Sequence, residues 1–256
     1  MARHEFASNS VTYGAAFADV YDDWYGDSDD LDAVVNLLCE SRPQRVLELG
    51  VGTGRIALAL AERLSATEPL NANVIHIHGI DESPEMLAHL QTKDVRQRIT
   101  CHLGDMAHNQ PAGPFDLVFL SYNTLFNLAS PELQAECIAN AAMRLATPGR
   151  LVIDACIIDP LAPSAGTTVD RRGPWILRTT STFDPISGDV SGATVSTHDD
   201  GRIVHRPFHI TYQSPEAIDA VCESAGLRLL ARHSSWQKAP FDESSSRHVS
   251  VYGNVR

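Results

Sequence analysis

The feature that most constrains this chain is the run Val46-Leu47-Glu48-Leu49-Gly50-Val51-Gly52-Thr53-Gly54-Arg55. A short apolar stretch ends in alternating glycines and leads into a segment where Ile56, Leu60 and Leu64 recur at spacings of four. That spacing predicts a helix over residues 55–64 with one apolar face. Glycines between a strand and a helix let the backbone turn tightly and let a ligand approach with no Cβ in the way. The helix beyond them opens with free backbone N–H groups. A dinucleotide fingerprint, G-x-G-x-x-G, would need a glycine at position 55, and this chain has Arg55 there.

Strand and helix patterns alternate on either side of this loop. Residues 32–39 read as an apolar helix, and residues 73–81, 99–105, 115–122 and 150–156 as strands. Residues 115–122 are almost continuously apolar, as a strand covered on both faces should be. Ser83-Pro84-Glu85 and Ser130-Pro131-Glu132 each open a helix, with serine as cap, proline first and glutamate in the first turn. The second of these helices should run to about residue 146, with Thr147-Pro148-Gly149 as its stop. The alternation implies a parallel sheet with right-handed crossovers. It then breaks. Residues 175–183, 190–198 and 203–213 read as three strands joined by Asp184-Pro185-Ile186-Ser187-Gly188 and Asp199-Asp200-Gly201, turns short enough for antiparallel pairing. A serine-capped helix over 214–225, Gly226 as its stop, and strands at 227–235 and 248–255 complete the chain.

The expected fold is therefore α/β: a Rossmann-like, mostly parallel sheet whose last strand is antiparallel, with an antiparallel β insertion after the fifth strand. The expected divisions are an N-terminal arm and helix (1–40), a ligand-binding core (41–156), the insertion as a lid (157–213), and a final helix and strands returning to the core sheet (214–256).

Composition excludes several classes. The formal net charge of −12 counts against nucleic acid, which needs positive charge to replace its counterions. No run of roughly 18–20 apolar residues offers a membrane span. Residues 1–9 carry charges without an apolar run behind them, so no secretory leader is expected and a cytoplasmic location is. The five cysteines form no CxxC pair and read as reduced thiols. His76 and His78 alternate along one strand with no third ligand nearby, so no metal site is expected.

With Glu48 inside the strand, E-L-G-x-G-T-G-R resembles the first motif of class I S-adenosylmethionine-dependent methyltransferases. Asp81 and Asp105 follow in order, each at the end of a strand. The segment Tyr13-Gly-Ala-Ala-Phe17-Ala-Asp19-Val-Tyr21-Asp22 resembles the entry sequence of small-molecule N-methyltransferases similar to glycine N-methyltransferase and to the amino-sugar and lincosamide antibiotic enzymes. The likeness runs from about residue 13 to 156 and fades in the insertion. It implies S-adenosylmethionine as cofactor and S-adenosylhomocysteine as product. The cofactor would lie against Tyr21, Glu48, Gly50, Gly52, Gly54, Asp81, Glu82, Met86, Gly104, Asp105, Met106, Ser121 and Asn123. Asp81 would take the ribose diol and Asp105 the adenine amino group. Tyr13, Tyr21 and Phe126 would border the transferred methyl as catalytic residues, and Tyr13, Tyr122, Phe126 and His209 would contact the acceptor.

The segment after the fourth strand, Ser121-Tyr122-Asn123-Thr124-Leu125-Phe126-Asn127, lacks the Asn/Asp-Pro-Pro-aromatic loop of base methyltransferases. The expected partner is thus a small-molecule acceptor, with an amine nitrogen preferred and a hydroxyl or carboxylate oxygen as the alternative; a cofactor-binding module without turnover is the reading from another class. His205, His209 and Tyr13 are the candidate bases. Trp175, Phe208, Tyr212 and Trp236 read as wall residues. Homo-oligomerisation stays open.

Overall fold

The computed structural model describes residues 13–26, 30–67, 75–159 and 163–254, with only the backbone at positions 13, 15 and 67. Its strands are β1 (Arg45–Leu49), β2 (His76–Asp81), β3 (Ile99–Leu103), β4 (Phe115–Leu120), β5 (Leu145–Cys156), β6 (Ala165–Arg172), β7 (Trp175–Phe183), β8 (Asp189–His198), β9 (Ile203–Thr211), β10 (Leu227–His233) and β11 (Arg247–Asn254). Its helices are α1 (Tyr13–Phe17), α2 (Tyr21–Tyr25), α3 (Leu31–Cys39), α4 (Arg55–Thr67), α5 (Pro84–Lys93), α6 (Pro131–Arg144) and α7 (Pro215–Ser224), with a 3-10 turn at Thr124–Asn127.

Seven strands form one sheet in the order β10-β11-β5-β4-β1-β2-β3. β1 pairs in parallel with β2 and β4, and β11 runs antiparallel to β5 and β10. The central strands bury both faces. Leu47, Leu49, Val118 and Ile153 pack toward α6 and α7, while Val46, Leu117, Phe119 and Val152 pack toward α3, α4 and α5. This two-sided burial is why β4 reads as a nearly continuous apolar run, broken by Asp116 alone. The three Ser-Pro-Glu starts cap as expected: Ser83, Ser130 and Ser214 accept from the N–H groups of Met86, Leu133 and Ala217.

Two boundaries differ from expectation. Thr147-Pro148-Gly149 does not stop a helix. Leu145 already has extended dihedrals and pairs with Phe115, and a register shift between Phe115 and Leu117 absorbs the extra residues, so β5 begins before the proline. The insertion has four strands, ordered β6-β7-β8-β9, rather than three. Every residue of β6 is exposed, so the segment has no apolar alternation to betray it. It is a strand because it pairs with β7 along its whole length.

A third apolar cluster joins the arm to the insertion. Phe17, Val20 and Trp24 pack with Met86 of α5 and with Trp175 and Leu177 of β7. The arm therefore bridges the carboxyl ends of the core strands and the inner face of the second sheet.

Candidate active site

The glycine loop has the conformation its composition requires. Gly50, Gly52 and Gly54 have φ of 71°, 54° and 79°, a region L side chains rarely adopt. A Cβ on Gly50 would stand 2.3 Å from the Thr124 methyl, and one on Gly54 2.6 Å from Leu90 Cγ. A Cβ on Gly52 would meet nothing within 4 Å. Gly52 is therefore the member of the loop that faces open space. The loop is tied to β2, whose Ile80 carbonyl accepts from Gly50 and Val51 N–H.

Asp81 holds the loop from the end of β2. One oxygen accepts the Gly52 N–H at 2.8 Å and the other the Ser83 N–H at 2.9 Å. Burial raises its pKa above the ordinary carboxylate value, and these backbone bonds oppose the rise. Glu48 lies beneath the loop at 3% exposure, with one carboxyl oxygen unpartnered. Burial pushes its pKa well above the carboxylate range, against the pull of Arg55.

A cavity of about 840 Å³ opens between the loop, the arm and the second sheet. That volume suits a cofactor-sized ligand. Of the residues expected to hold the cofactor or acceptor, Tyr21, Gly50, Gly52, Asp81, Glu82, Met86, Asp105, Met106, Tyr122 and Asn123 line it. Burial pushes the Tyr21 hydroxyl up to about 12, so it keeps its proton at neutral pH.

Other expected residues lie elsewhere. Phe126 is fully buried in the core against Tyr212, because the 3-10 turn points it inward; Thr124, Asn127 and Leu128 face the cavity instead. Gly54 packs on Leu90, Gly104 on Asn109, and the Ser121 carbonyl accepts from Thr124, so these three shape the lining from behind. His209 is exposed and bonds Asp189. Its neighbours Phe208 and Ile210 line the cavity, and strand alternation turns His209 to the opposite face. His205 shares that outer face. Trp236 belongs to the core, where its Nε1 donates to Asp154. The side chain of Tyr13 lies outside the described residues.

Asp105 borders the cavity with both oxygens engaged. Oδ1 accepts the Ala107 N–H at 2.8 Å, and Oδ2 bonds His108, whose other nitrogen bonds Glu136 at 2.8 Å.

Tyr122 and Asn123 sit at the corner after β4 with φ of 50° and 66°, two successive left-handed residues that are not glycine. Such backbone costs about 1–3 kcal/mol per residue and persists where surroundings impose it. Here the surroundings are visible. Asp154 accepts the Tyr122 N–H at 2.7 Å, its carbonyl accepts the Asn123 N–H, and Asn123 Oδ1 accepts the Cys156 N–H at 2.6 Å. The Tyr122 hydroxyl donates to Asp30, and two guanidinium groups lie over its ring, that of Arg55 at 4.5 Å and that of Arg247 at 5.1 Å from the centroid.

Sequence reasoning missed several residues of the site. Arg55 opens α4 and lines the cavity; its place directly after Gly54 was the available signal. Asp22 of α2 accepts from the Thr53 hydroxyl at 2.6 Å and from Lys93 at 2.9 Å, fastening the arm to the glycine loop. Arg206 of β9, only 4% exposed, bonds the Ala16 carbonyl and both oxygens of Asp19, fastening the arm to the second sheet. Thr179 and Thr194 share a hydroxyl–hydroxyl bond of 2.9 Å on the cavity wall contributed by that sheet. Among the described residues that line the cavity there is no histidine, cysteine or lysine. Among the described residues no helix is long and apolar enough to cross a membrane.

Comparison with known proteins agrees with this geometry. Residues 46–149 match the family model described as a methyltransferase domain. Over 101 residues the chain is 30% identical to ribosomal RNA small subunit methyltransferase A of Dechloromonas aromatica (strain RCB), covering 40% of this chain and only 36% of that protein. The structure of the CcbJ methyltransferase from Streptomyces caelestis superimposes with a TM-score of 0.84 at 30% identity, over 96% of this chain and 98% of that one. S-adenosylmethionine-bound CalS10, an amino pentose methyltransferase from Micromonospora echinaspora involved in calicheamicin biosynthesis, superimposes with a TM-score of 0.69 at 20% identity, over 93% of this chain and 96% of that one.

Proposed function

The chain belongs to the S-adenosylmethionine-dependent methyltransferases, and from that premise we propose that it methylates an amine nitrogen of a small natural-product acceptor. The observation that carries the proposal is the composition of the cavity wall facing the glycine loop. An amine attacks through its own lone pair and needs only to be neutral, whereas a hydroxyl needs a base within hydrogen-bond reach. Among the described residues, Phe17, Trp24, Tyr25, Arg172, Thr179, Thr194, Phe208 and Ile210 line this wall from the arm and the second sheet, and none carries a carboxylate, an imidazole or an amine. Tyr21 keeps its proton. Asp30 is held in an ion pair with Arg247. Asp81, Glu82 and Asp105 stand with the cofactor loop and its neighbouring strands, on the other side. That the similar CalS10 structure is an amino pentose methyltransferase supports an amine on a polyol-like acceptor.

The residues present fit the cofactor. Gly52 leaves open the side where a Cβ would stand, Asp81 and Glu82 offer acceptors for ribose hydroxyls, and Asp105 with Met106 stands where an adenine edge would lie. Arg55 supplies the countercharge for the amino-acid carboxylate. When bound, S-adenosylmethionine supplies a methyl group already activated by sulfonium charge. What remains for the protein is alignment and exclusion of water. The arm does both, since α1 and α2 close the cavity from above and are fastened at each end by Asp22 and Arg206. Transfer to the acceptor nitrogen would leave the cofactor as a neutral thioether, and with no base among the described wall residues the new ammonium would release its proton to water.

The test offers S-adenosylmethionine with a labelled methyl group and matched sets of amines, alcohols and carboxylates, including amino sugars and their hydroxy counterparts. Label should appear on amines alone, with a rate that rises with pH and levels off at the acceptor's own pKa. Label on oxygen acceptors alone would overturn the proposal.

A further inference from the structure

Among the described residues Arg55 and Arg172 line the cavity, Arg206 and Arg247 stand behind its wall, and all but Arg55 are spoken for. Arg247 of β11 makes a two-pronged pair with the buried Asp154 and a third bond to Asp30 at 3.2 Å. Arg206 is paired with Asp19, and Arg172 with Asp170. Arg55 differs: among the described residues its guanidinium has no hydrogen bond and no ion pair. Glu48 lies buried beneath the loop, where burial raises its pKa and the Arg55 charge lowers it, but no ion pair joins the two. What Arg55 does have is the face of Tyr122, 4.5 Å away.

We propose that Tyr122 is a positioning residue that holds the Arg55 guanidinium at the cavity as the carboxylate subsite of the cofactor. The inference rests on the cofactor assignment above and goes beyond it, because it gives a role to a side chain that the acceptor does not need to touch. The ring is fixed from four directions. Its backbone N–H is bound by Asp154, its hydroxyl donates to Asp30, and the guanidinium groups of Arg247 and Arg55 lie over its ring at 5.1 and 4.5 Å. The anchor behind it is rigid, since Asp154 has no exposed side-chain surface and also accepts the Trp236 indole N–H. A planar guanidinium is well suited to such a stack, where it keeps its N–H edge free for a carboxylate. Without the ring, the long and flexible side chain at the start of α4 would lose its orientation while keeping its charge.

The experiment compares two ligands by calorimetry. S-adenosylhomocysteine carries the amino-acid carboxylate; 5′-methylthioadenosine has the same adenosine thioether without it. In Tyr122→Leu the affinity for S-adenosylhomocysteine should fall about tenfold, the scale of one favourable cation–ring contact. The affinity for methylthioadenosine should stay within about twofold. Tyr122→Phe keeps the stack and loses only the bond to Asp30, and should restore the preference for S-adenosylhomocysteine. Arg55→Lys provides a second route that does not depend on the strained corner: it keeps the charge but gives up the planar stack, and should show the same selective loss. Equal losses for both ligands in Tyr122→Leu, or a lysine at 55 that binds S-adenosylhomocysteine as well as arginine does, would overturn the positioning role. Failure of the wild-type protein to bind either adenosyl compound is a distinguishable result, and it would overturn the cofactor assignment itself.

Discussion

Gly52 and Gly54 are two residues apart, share a left-handed backbone, and should respond to the same substitution in opposite ways. In Gly52→Ala the new Cβ meets no protein atom within 4 Å at φ 54°, so stability loses only the backbone strain. That strain costs about 1–2 kcal/mol, reduced by the lower entropy of alanine in the unfolded chain. A net loss of about 1 kcal/mol lowers the melting temperature by roughly 2–4 °C in a chain of this size. The open space, however, is where the cofactor would pass, so the Cβ should cost at least tenfold in S-adenosylhomocysteine affinity. In Gly54→Ala the same strain comes with a Cβ 2.6 Å from Leu90 Cγ and 2.8 Å from its Cδ1, on a leucine that is fully buried. Overpacking adds about 1–3 kcal/mol. The melting temperature should fall roughly two to four times as far as in Gly52→Ala. Whatever folds should bind nearly as well as wild type, because Gly54 does not line the cavity. Thermal unfolding without ligand and calorimetry with S-adenosylhomocysteine measure the two effects separately. Should Gly52→Ala bind within twofold of wild type, the loop is not the cradle that its geometry suggests.

Three further perturbations test other parts of the site. His108 is held between Asp105 and Glu136, and these bonds raise its pKa above the ordinary 6.5. Because the folded value exceeds the unfolded one, this contribution to stability is complete below about 6.5 and is lost as pH rises through the folded value. A nuclear magnetic resonance titration should find His108 titrating above 6.5, and Glu136→Gln should move it down; an unshifted histidine would refute the two bonds to Asp105 and Glu136. Arg206→Met should free the arm, since Asp19 is largely exposed and stays hydrated when left alone. The loss, about 1–3 kcal/mol of arm docking, should appear as faster proteolysis between residues 13 and 26 at an unchanged global melting temperature. Asp154→Ala leaves the Arg247 charge without its buried partner and removes the acceptor that holds the Tyr122 corner. Breaking a buried pair from one side costs about 3–5 kcal/mol, so the melting temperature should fall by roughly 10 °C; a shift of only 1–2 °C would show that the network carries little.

What could be read from the sequence is what local chemistry decides. A serine followed by proline and glutamate caps a helix wherever it stands, and all three such starts do so. Alternating glycines after a buried strand leave few conformations, and the loop takes the left-handed one. Strand alternation was legible too, although its consequence was not drawn for β9: once Phe208 and Ile210 face inward, His209 cannot. What stayed hidden depends on contacts between distant residues. β6 has no buried face, and only its pairing with β7 makes it a strand. Phe126 sits in a segment whose 3-10 turn reverses which side chains face the ligand. Most hidden of all was the unit made of Asp30, Arg55, Tyr122, Asp154 and Arg247, drawn from five separate stretches of chain. No spacing rule joins position 30 to position 247. Each of these residues has an ordinary surface reading when taken alone. Together they show why a tyrosine is kept in costly left-handed backbone at the edge of the cavity: Asp154 sets the corner, the corner sets the ring, and the ring sets the one cation there that no described acid has paired.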